Sequence, residues 1–176
     1  MEGILINPIN KGESFEQFLL SLHVPVVCIG NQVSGKITTV QVNEMVATMD
    51  AVKHIVSKDY EKIVFVCPPL EMKETQNTYT HEQRELGFRA AMGMYPDVEM
   101  NVIGRENFLQ DVQSVCKDGL NKKTAFLCSG DSYALMIMQW AAKEGFEIQY
   151  DFRLMGFDDI SDFHFISQKI TSVSTN

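Results

Sequence analysis

Short apolar runs alternate with segments of helical periodicity along the chain, and this alternation predicts its secondary structure. The apolar runs have the length of buried strands, and the segments between them place apolar side chains three and four residues apart. Strands buried on both faces and alternating with helices are typical of mostly parallel sheets covered by helices, so the pattern predicts a doubly wound α/β fold. The predicted strands are 3–6, 24–29, 38–42, 63–67, 102–103, 124–128, 152–156 and 170–173.

Polar residues ahead of the helical segments predict where the helices begin. Ser14-x-x-Gln17 and Thr80-x-x-Gln83 are typical of capping boxes, in which a hydroxyl and a Gln side chain satisfy the first free N–H groups. Asn43 is a favourable N-cap for another helix. The apolar side chains expected on the buried face of that helix are Met45, Met49, Val52 and Val56.

Composition limits the classes of function that this chain can serve. Its 176 residues, 45% of them hydrophobic, can bury one substantial core or two small ones. A net charge of −8 disfavours direct binding to a phosphate backbone, so any contact with DNA would come through another part of the protein. No window reaches transmembrane length, and we expect no membrane partner.

The four cysteines are widely separated, and three of them lie in apolar runs. No C-x-x-C pair is present, so we expect buried, reduced thiols in a cytoplasmic protein and neither a metal nor a cofactor. These cysteines are Cys28, Cys67, Cys116 and Cys128.

Two acidic residues, Asp158 and Asp159, directly follow the strand predicted at 152–156. Ligands of doubly wound sheets bind beyond the carboxyl ends of the strands, which makes this pair a candidate site. The carboxylates could hold Mg²⁺, accept hydrogen bonds from ligand hydroxyls, or cap a turn. Adjacent side chains point in different directions, so we expect only one of them to face a ligand.

Arg84 is a second candidate, because it lies in the first turn of the helix predicted to begin at Thr80. An arginine is unfavourable near the positive end of a helix dipole, which suggests an external acceptor. Its fork of donors suits a carboxylate, a phosphate or vicinal sugar hydroxyls. An ordinary surface arginine is the alternative.

Eight segments, taken in order, resemble the LacI/GalR family of transcription regulators and the related periplasmic sugar-binding proteins. Arg84–Phe88 matches the family's Arg-x-x-Gly-Phe, and Met155–Asp159 matches its Val-Gly-Phe-Asp-Asp. The other resembling segments are 2–5, 24–27, 42–48, 62–65, 124–134 and 170–173. Each match alone is weak, whereas their shared order across nearly the whole chain is specific.

The resemblance implies a periplasmic-binding-protein-like type I fold with two α/β subdomains around a ligand cleft. We expect residues 1–60 to form an incomplete first subdomain, 61–170 the second, and 171–176 a crossover back toward the first. It implies the effector-sensing and dimerisation domain of a cytoplasmic LacI-type repressor, without its DNA-binding headpiece. Operator DNA would be reached only through that absent headpiece. A fragment of a periplasmic-type sugar-binding protein is the alternative.

Ligand contacts carry over from the resemblance one position at a time. Arg84 stands where the family bonds ligand oxygens, and Asp158 where it has a ligand-binding carboxylate, which suits a sugar or related polyol. Asn31 falls at a ligand-facing position that is often an Asp-Arg pair. Gly130 replaces a frequent ligand-contacting asparagine. Phe108 is a candidate aromatic wall of the pocket, and the core face of a helix is its alternative.

The apolar helix around 133–142 is expected near the seam of a homodimer, by the same resemblance. Tyr133, Met136 and Trp140 are its candidate contacts, and Phe165 is placed in the same seam. An ordinary core helix is the alternative. An enzyme is not expected, because the chain has no P-loop and no G-x-S-x-G elbow. A Mg²⁺ enzyme using Asp158 and Asp159 is the remaining competitor.

Overall fold

Helices and strands alternate through the chain in a computed structural model that describes residues 2–71, 76–117, 121–161, 166, 168 and 170–174. The expected α/β fold is confirmed. The strands are β1 (Ile4–Ile6), β2 (Val26–Ile29), β3 (Thr38–Val40), β4 (Lys62–Val66), β5 (Glu99–Ile103), β6 (Thr124–Cys128), β7 (Arg153–Phe157) and β8 (Thr171–Val173). The helices are α1 (Glu13–Ser21), α2 (Glu44–Val56), α3 (Tyr79–Met92), α4 (Phe108–Lys117) and α5 (Asp131–Glu144).

The described strands form two separate sheets, and every strand pairing in both is parallel. The smaller sheet has the order β1-β2-β3, and the larger has the order β5-β4-β6-β7-β8. Parallel neighbours require crossover connections, which the intervening helices supply. The carboxyl ends of the strands in each sheet therefore share one edge, where ligands of such folds bind.

The larger sheet is buried on both faces, and each face has its own hydrophobic core. Val64 pairs in register with Phe126, and both belong to the core beneath α4 and α5. Phe65 pairs with Leu127 on the opposite face, where the Phe65 ring stacks on Phe88 of α3 at 4.9 Å between centroids. Side chains that alternate between two covered faces explain why these strands are apolar throughout.

The smaller sheet is covered less completely than the larger one. Leu19 of α1 and Cys28 of β2 belong to its small core. By contrast, Leu5 is 72% exposed and Val40 61% exposed. The smaller sheet therefore stabilises itself with much less buried apolar surface than the larger sheet does.

Helix α2 packs with the larger sheet. The expected subdomain boundary after residue 60 would have placed α2 in the first subdomain instead. Val52 and Ile55 of α2 lie in the same core as Phe65. A Cβ added to Gly87 of α3 would lie 2.4 Å from the Met45 carbonyl oxygen, so the two helix backbones approach closely. Because α2 packs in the core of the larger sheet, the first subdomain ends before α2 begins.

The expectation that residues 171–176 cross back toward the first subdomain was wrong for their first half. Residues Thr171–Val173 form β8, which pairs with β7 in the larger sheet. The second subdomain therefore extends past residue 170.

The helix starts differ from the two predicted capping boxes. Helix α1 is preceded by Gly12 rather than Ser14, and α3 by Thr78 rather than Thr80. The Thr78 hydroxyl donates to Glu82 Oε1 at 2.7 Å, which is a bond between two side chains, and the Thr78 side chain caps no N–H of the helix. Asn43 is confirmed as an N-cap, because its Oδ1 accepts the Val46 N–H at 3.2 Å.

The buried face of α2 is rotated from the predicted stripe by about one position. Val52 is buried as expected, whereas Met45 is 37% exposed. Polar residues occupy buried positions beside the apolar ones, which an apolar stripe could not reveal. The residues on this face are Glu44, Thr48, Ala51, Val52 and Ile55.

Candidate functional site

Arg84 lies at the centre of a polar cluster beyond the carboxyl ends of β6 and β7. Its Nε donates to Glu44 Oε2 at 2.8 Å, its Nη1 to the Ser129 carbonyl at 2.6 Å, and its Nη2 to Asp158 Oδ1 at 2.7 Å. The guanidinium carbon also lies 3.7 Å from the centre of the Phe157 ring. With 4% of its side chain exposed, Arg84 is a buried hub rather than a surface arginine.

The hub joins four elements of the second subdomain. Arg84 is in the second turn of α3, one turn further in than predicted, because α3 begins at Tyr79. Glu44 opens α2, Ser129 follows β6 and Asp158 follows β7. Within the described residues, protein acceptors engage three of the five N–H groups of Arg84.

Asp158 is the more accessible part of the cluster. Its side chain is 41% exposed, and its Oδ1 accepts from Arg84, whereas its Oδ2 has no hydrogen bond from a described residue. Its backbone N–H donates to the Val173 carbonyl at 2.9 Å. The Asp158 side chain therefore keeps one oxygen available to a hydroxyl or amine donor.

The turn after β7 is strained, and its two acidic residues are oriented differently. Asp158 has φ of 100° and Asp159 has φ of 52°, a region that side chains other than Asn, Asp and His rarely adopt. The Asp159 N–H donates to Ser172 Oγ at 3.1 Å, and no contact joins Asp159 to Arg84. Asp158 is thus the one of the pair that bonds Arg84, and the expectation that only one carboxylate faces a ligand stays a prediction.

The Asp131 side chain stabilises this turn through two hydrogen bonds. Its Oδ2 accepts the Ile160 N–H at 2.9 Å and its Oδ1 accepts the Ser172 hydroxyl at 2.8 Å. Burial raises the pKa of Asp131, although these hydrogen bonds act against that shift. A Cβ on Gly156 would lie 1.9 Å from Asp131 Oδ1, which explains the glycine in the Met-Gly-Phe-Asp-Asp segment.

His81 is a cluster residue that the sequence analysis missed. Its Nδ1 lies 3.1 Å from Ser129 Oγ, and its ring meets Tyr133 edge to face at 6.5 Å. Burial first, and the positive charge of Arg84 after it, lower the pKa of His81 to about 4. His81 is therefore neutral at neutral pH. Its spacing of three residues from Arg84 on one helix was the available signal.

Asn31 lies at the junction between the two sheets. Its Oδ1 accepts from the Thr80 hydroxyl at 2.8 Å and from the Thr80 N–H at 3.3 Å. Nearby, Asn77 Nδ2 donates to the Gln32 carbonyl at 3.3 Å. The side-chain oxygen of Asn31 therefore links the first subdomain to the start of α3. Only the side-chain N–H groups of Asn31 remain for a ligand.

The position of Phe108 agrees with the core face of a helix rather than with an aromatic wall of a ligand pocket. It is 3% exposed and belongs to the core beneath α4 and α5. Its ring meets Tyr133 edge to face at 5.3 Å, and Tyr133 in turn faces His81. Tyr133, half-buried at the start of α5, is therefore the aromatic ring that lies between the core and the cluster.

The remaining candidates for a dimer seam differ in exposure. Met136 is 45% exposed, whereas Trp140 packs against the core and stacks on Phe146 at 5.2 Å between centroids. Phe165 lies outside the described residues. Met136 is consequently the candidate on α5 that presents most apolar surface to solvent.

The cluster is poorly suited to a magnesium ion. The described part of the chain contains no group of three or more His, Cys, Asp or Glu residues placed to hold a metal. Asp158 is paired with a guanidinium, which competes directly with a cation for its oxygen.

Among the described residues, no helix is long and apolar enough to cross a membrane.

Comparison with known proteins identifies the family of this chain. The sequence profile of the periplasmic binding protein-like domain matches residues 52–176, which is more than half of the chain. The chain belongs to this family. The segment matched begins inside α2 and includes every element of the larger sheet.

Similar sequences come from transcription regulators rather than enzymes. The chain is 24% identical to the "Probable HTH-type transcriptional regulator EndR" of Paenibacillus polymyxa, over 99% of this chain and 52% of that protein. It is 22% identical to catabolite control protein A of Priestia megaterium, over 98% of this chain and 52% of that protein. The chain thus spans about half the length of the curated relatives it matches.

Solved structures support the fold in the same way. A periplasmic binding protein/LacI transcriptional regulator from Alkaliphilus metalliredigens, complexed with D-xylulofuranose, superimposes with a TM-score of 0.74 at 19% identity. The match covers 97% of this chain and 61% of that structure. The periplasmic-binding-protein-like fold is therefore shown, and it is the fold of LacI-type effector-binding domains.

Proposed function

We propose that this chain is the effector-sensing part of a LacI-type transcriptional repressor, and that it binds a small, neutral, hydroxyl-rich molecule beside Asp158. The observation that carries the proposal is the half-exposed Asp158 carboxylate, which Arg84 holds through one oxygen while the other stays available. A carboxylate fixed in this way accepts hydrogen bonds from sugar-like hydroxyls.

The charge of the cluster favours a neutral ligand. Arg84 is already paired with two carboxylates, those of Glu44 and Asp158. His81 beside it adds no charge at neutral pH. An anionic ligand would meet the Asp158 charge, and the described residues of the cluster offer no further cation to offset it. Sugars, polyols and nucleosides therefore suit this site better than sugar phosphates do.

A titration of ligands tests this proposal. We expect calorimetry with a panel of neutral sugars, polyols and nucleosides to find a binder that its phosphorylated analogue does not match. Asp158→Asn should weaken that binding by roughly tenfold or more, because it removes a charge-assisted acceptor. Asn also tolerates positive φ, so the turn should keep its shape.

Asp159→Asn is the matched control, since it changes the neighbouring carboxylate in the same turn and should leave affinity unchanged. Equal losses in the two variants, or binding of the phosphorylated compounds alone, would contradict the proposed site. Arg84→Ala is a less informative variant, because Arg84 joins four elements and its removal perturbs the fold itself.

Regulation of DNA by this chain is the wider part of the proposal. The acidic net charge of −8 means that operator binding would need a separate basic domain, and a cytoplasmic location follows from that role. Ligand-dependent closure of the cleft would change the geometry of a dimer that carries such domains. A fragment of a periplasmic-type binding protein remains the second candidate. The coding sequence upstream of Met1 decides between them: a helix-turn-helix supports the regulator and a signal peptide contradicts it.

Dimerisation through α5 is also proposed and can be measured directly. Met136 presents the most exposed apolar side chain among the α5 candidates. Sedimentation velocity should show weaker self-association in Met136→Glu, because a charge is poorly tolerated at the centre of an interface. Lys143→Glu, at the far end of α5, is the control. A monomeric parent chain, or an unchanged association constant in Met136→Glu, would argue against this seam.

A further inference from the structure

A cavity lies at the opposite end of the larger sheet from the Arg84 cluster. It has a volume of about 460 Å³ and is enclosed by the last turn of α2, the turn after it, and the first residues of β6, β7 and β8. Cavities of this size hold small organic molecules. Strand β7 separates the two places, with Arg153 at its amino end and Asp158 just beyond its carboxyl end. Five strand residues span roughly 17 Å.

The rim of this cavity is cationic in a chain that is otherwise acidic. Lys58, Lys123 and Arg153 line it, and Asp59 is the one carboxylate among the described residues that do so. The whole chain, by comparison, carries a net charge of −8. A local excess of positive charge in an acidic protein attracts anions to that place.

Some of these cations are already engaged, which identifies the donors that remain for a ligand. Lys123 Nζ donates to the Lys58 carbonyl at 2.5 Å and lies 4.7 Å from the centre of the Tyr60 ring. Arg153 Nε donates to the Tyr60 hydroxyl at 2.8 Å. The terminal nitrogens of Arg153 and the ammonium of Lys58 have no acceptor among the described residues.

Tyr60 fixes the geometry of these donors. It is 9% exposed and belongs to the core on the α2 face, so its hydroxyl is a rigid anchor for Arg153. Asp59 before it has φ of 60°, which turns the chain sharply between α2 and β4. A guanidinium held by one nitrogen loses less entropy when its other two nitrogens bind an anion.

The cavity is apolar behind its cationic rim. Ile55, Leu154 and Met155 contribute to its lining, and all three are largely buried. We propose that this cavity is a second ligand site, which binds a small organic anion: an apolar body against the buried side chains, with a carboxylate or phosphate held by Arg153 and Lys58.

Calorimetry on the full 176-residue chain tests the site with phenyl phosphate and benzoate as probes and 2-phenylethanol as an uncharged analogue. We expect at least one anion to bind more tightly than the alcohol, and its affinity to fall as salt is added. Tighter binding of phenyl phosphate identifies a phosphate site, and tighter binding of benzoate a carboxylate site.

Variants locate the binding. Arg153→Gln should weaken the anion by roughly tenfold, as expected for loss of a charge-assisted contact. Lys58→Gln should also weaken it, and its side chain contacts no described partner whose loss would disturb the fold. Lys143→Gln, an exposed lysine on α5, should have no effect.

Three outcomes with the probes and the lysine variants would overturn the second site. They are an alcohol that binds as well as the anions, no heat with either anion at millimolar concentration, and an equal effect of Lys58→Gln and Lys143→Gln. A loss of anion binding in Asp158→Asn would also overturn it, because the probe would then occupy the first cleft. Unaffected binding in Asp158→Asn separates this proposal from the effector site.

Discussion

Arg84 shows how a single buried charge organises the candidate site. Its three acceptors come from residues 40, 45 and 74 positions away in the chain. Arg84 and Asp158 could be named from the sequence because both stand in recognisable segments. Glu44 and the Ser129 carbonyl could not, because neither the helix start of α2 nor a backbone oxygen carries any mark of a distant partner. Removing one partner of such a buried group costs roughly 3–5 kcal/mol.

His81 should make the stability of the chain depend on pH. The pKa of about 4 in the folded chain lies below the ordinary histidine value of 6.5, because burial and Arg84 oppose its protonation. Between those two pH values the unfolded chain binds the extra proton and the folded chain does not. The free energy of unfolding should therefore fall as pH drops from about 6.5 to about 4, on the order of 1–3 kcal/mol.

Chemical denaturation at a series of pH values in wild type and His81→Gln measures this effect. The difference between the two proteins isolates the contribution of His81 from that of the other ionisable groups. His23→Gln, at an exposed position, is the matched control and should follow the wild type. Parallel curves for wild type and His81→Gln would show that His81 is not held neutral by the fold.

At the scale of elements, the contact between α2 and α3 defines the wall of the cluster. Gly87, the glycine of Arg-Glu-Leu-Gly-Phe, lies against the Met45 backbone. One face of α3 therefore presents Arg84 to Glu44 and, one turn later, packs closely against α2. Periodicity predicted both helices. It misplaced the first residue of α3 and the buried face of α2, where Glu44 and Thr48 are buried through hydrogen bonds rather than hydrophobicity.

Replacement of Gly87 by alanine should destabilise the chain. The added Cβ would lie 2.4 Å from the Met45 carbonyl oxygen, which forces α2 and α3 apart. We expect a loss of roughly 1–3 kcal/mol, typical of overpacking, in thermal or denaturant unfolding. Gly35→Ala is the control, because no atom lies within 4 Å of its added Cβ, and it should change stability by less than about 0.5 kcal/mol. Similar stability of the two variants would contradict the close approach of the helices.

The whole molecule consists of two unequal parts. The larger sheet has a core on each face, while the smaller sheet has one small core and exposed apolar side chains such as Leu5. The sequence predicted the second subdomain at residues 61–170. The packing of α2 refines this expectation, because a fragment that starts at residue 61 lacks Val52 and Ile55 from the core around Phe65.

Two fragments test the autonomy of the second part. A fragment of residues 43–174 should unfold cooperatively on heating. A fragment of residues 61–174 should bind a hydrophobic dye and lose the sharp transition, since Val52 and Ile55 each contribute about 1.5–3 kcal/mol of burial. Limited proteolysis of the whole chain should correspondingly cut residues 1–42 first. A shorter fragment as stable as the longer one would mean that α2 belongs energetically with the first part.

The sequence by itself determined the α/β class, the order of nearly every element, the resemblance to LacI-type regulators and the two residues at the centre of the candidate site. All of these depend on local periodicity or on short segments whose residues are adjacent in the chain. Only the tertiary structure decided that each Arg84 nitrogen donates to a protein acceptor, that His81 and Glu44 join it, that Phe108 is core, and that α2 belongs to the larger sheet. It also brought Lys58 and Arg153 to one cavity. Those features depend on which distant segments of the chain meet. Burial and packing decide which segments meet, and the local sequence pattern does not.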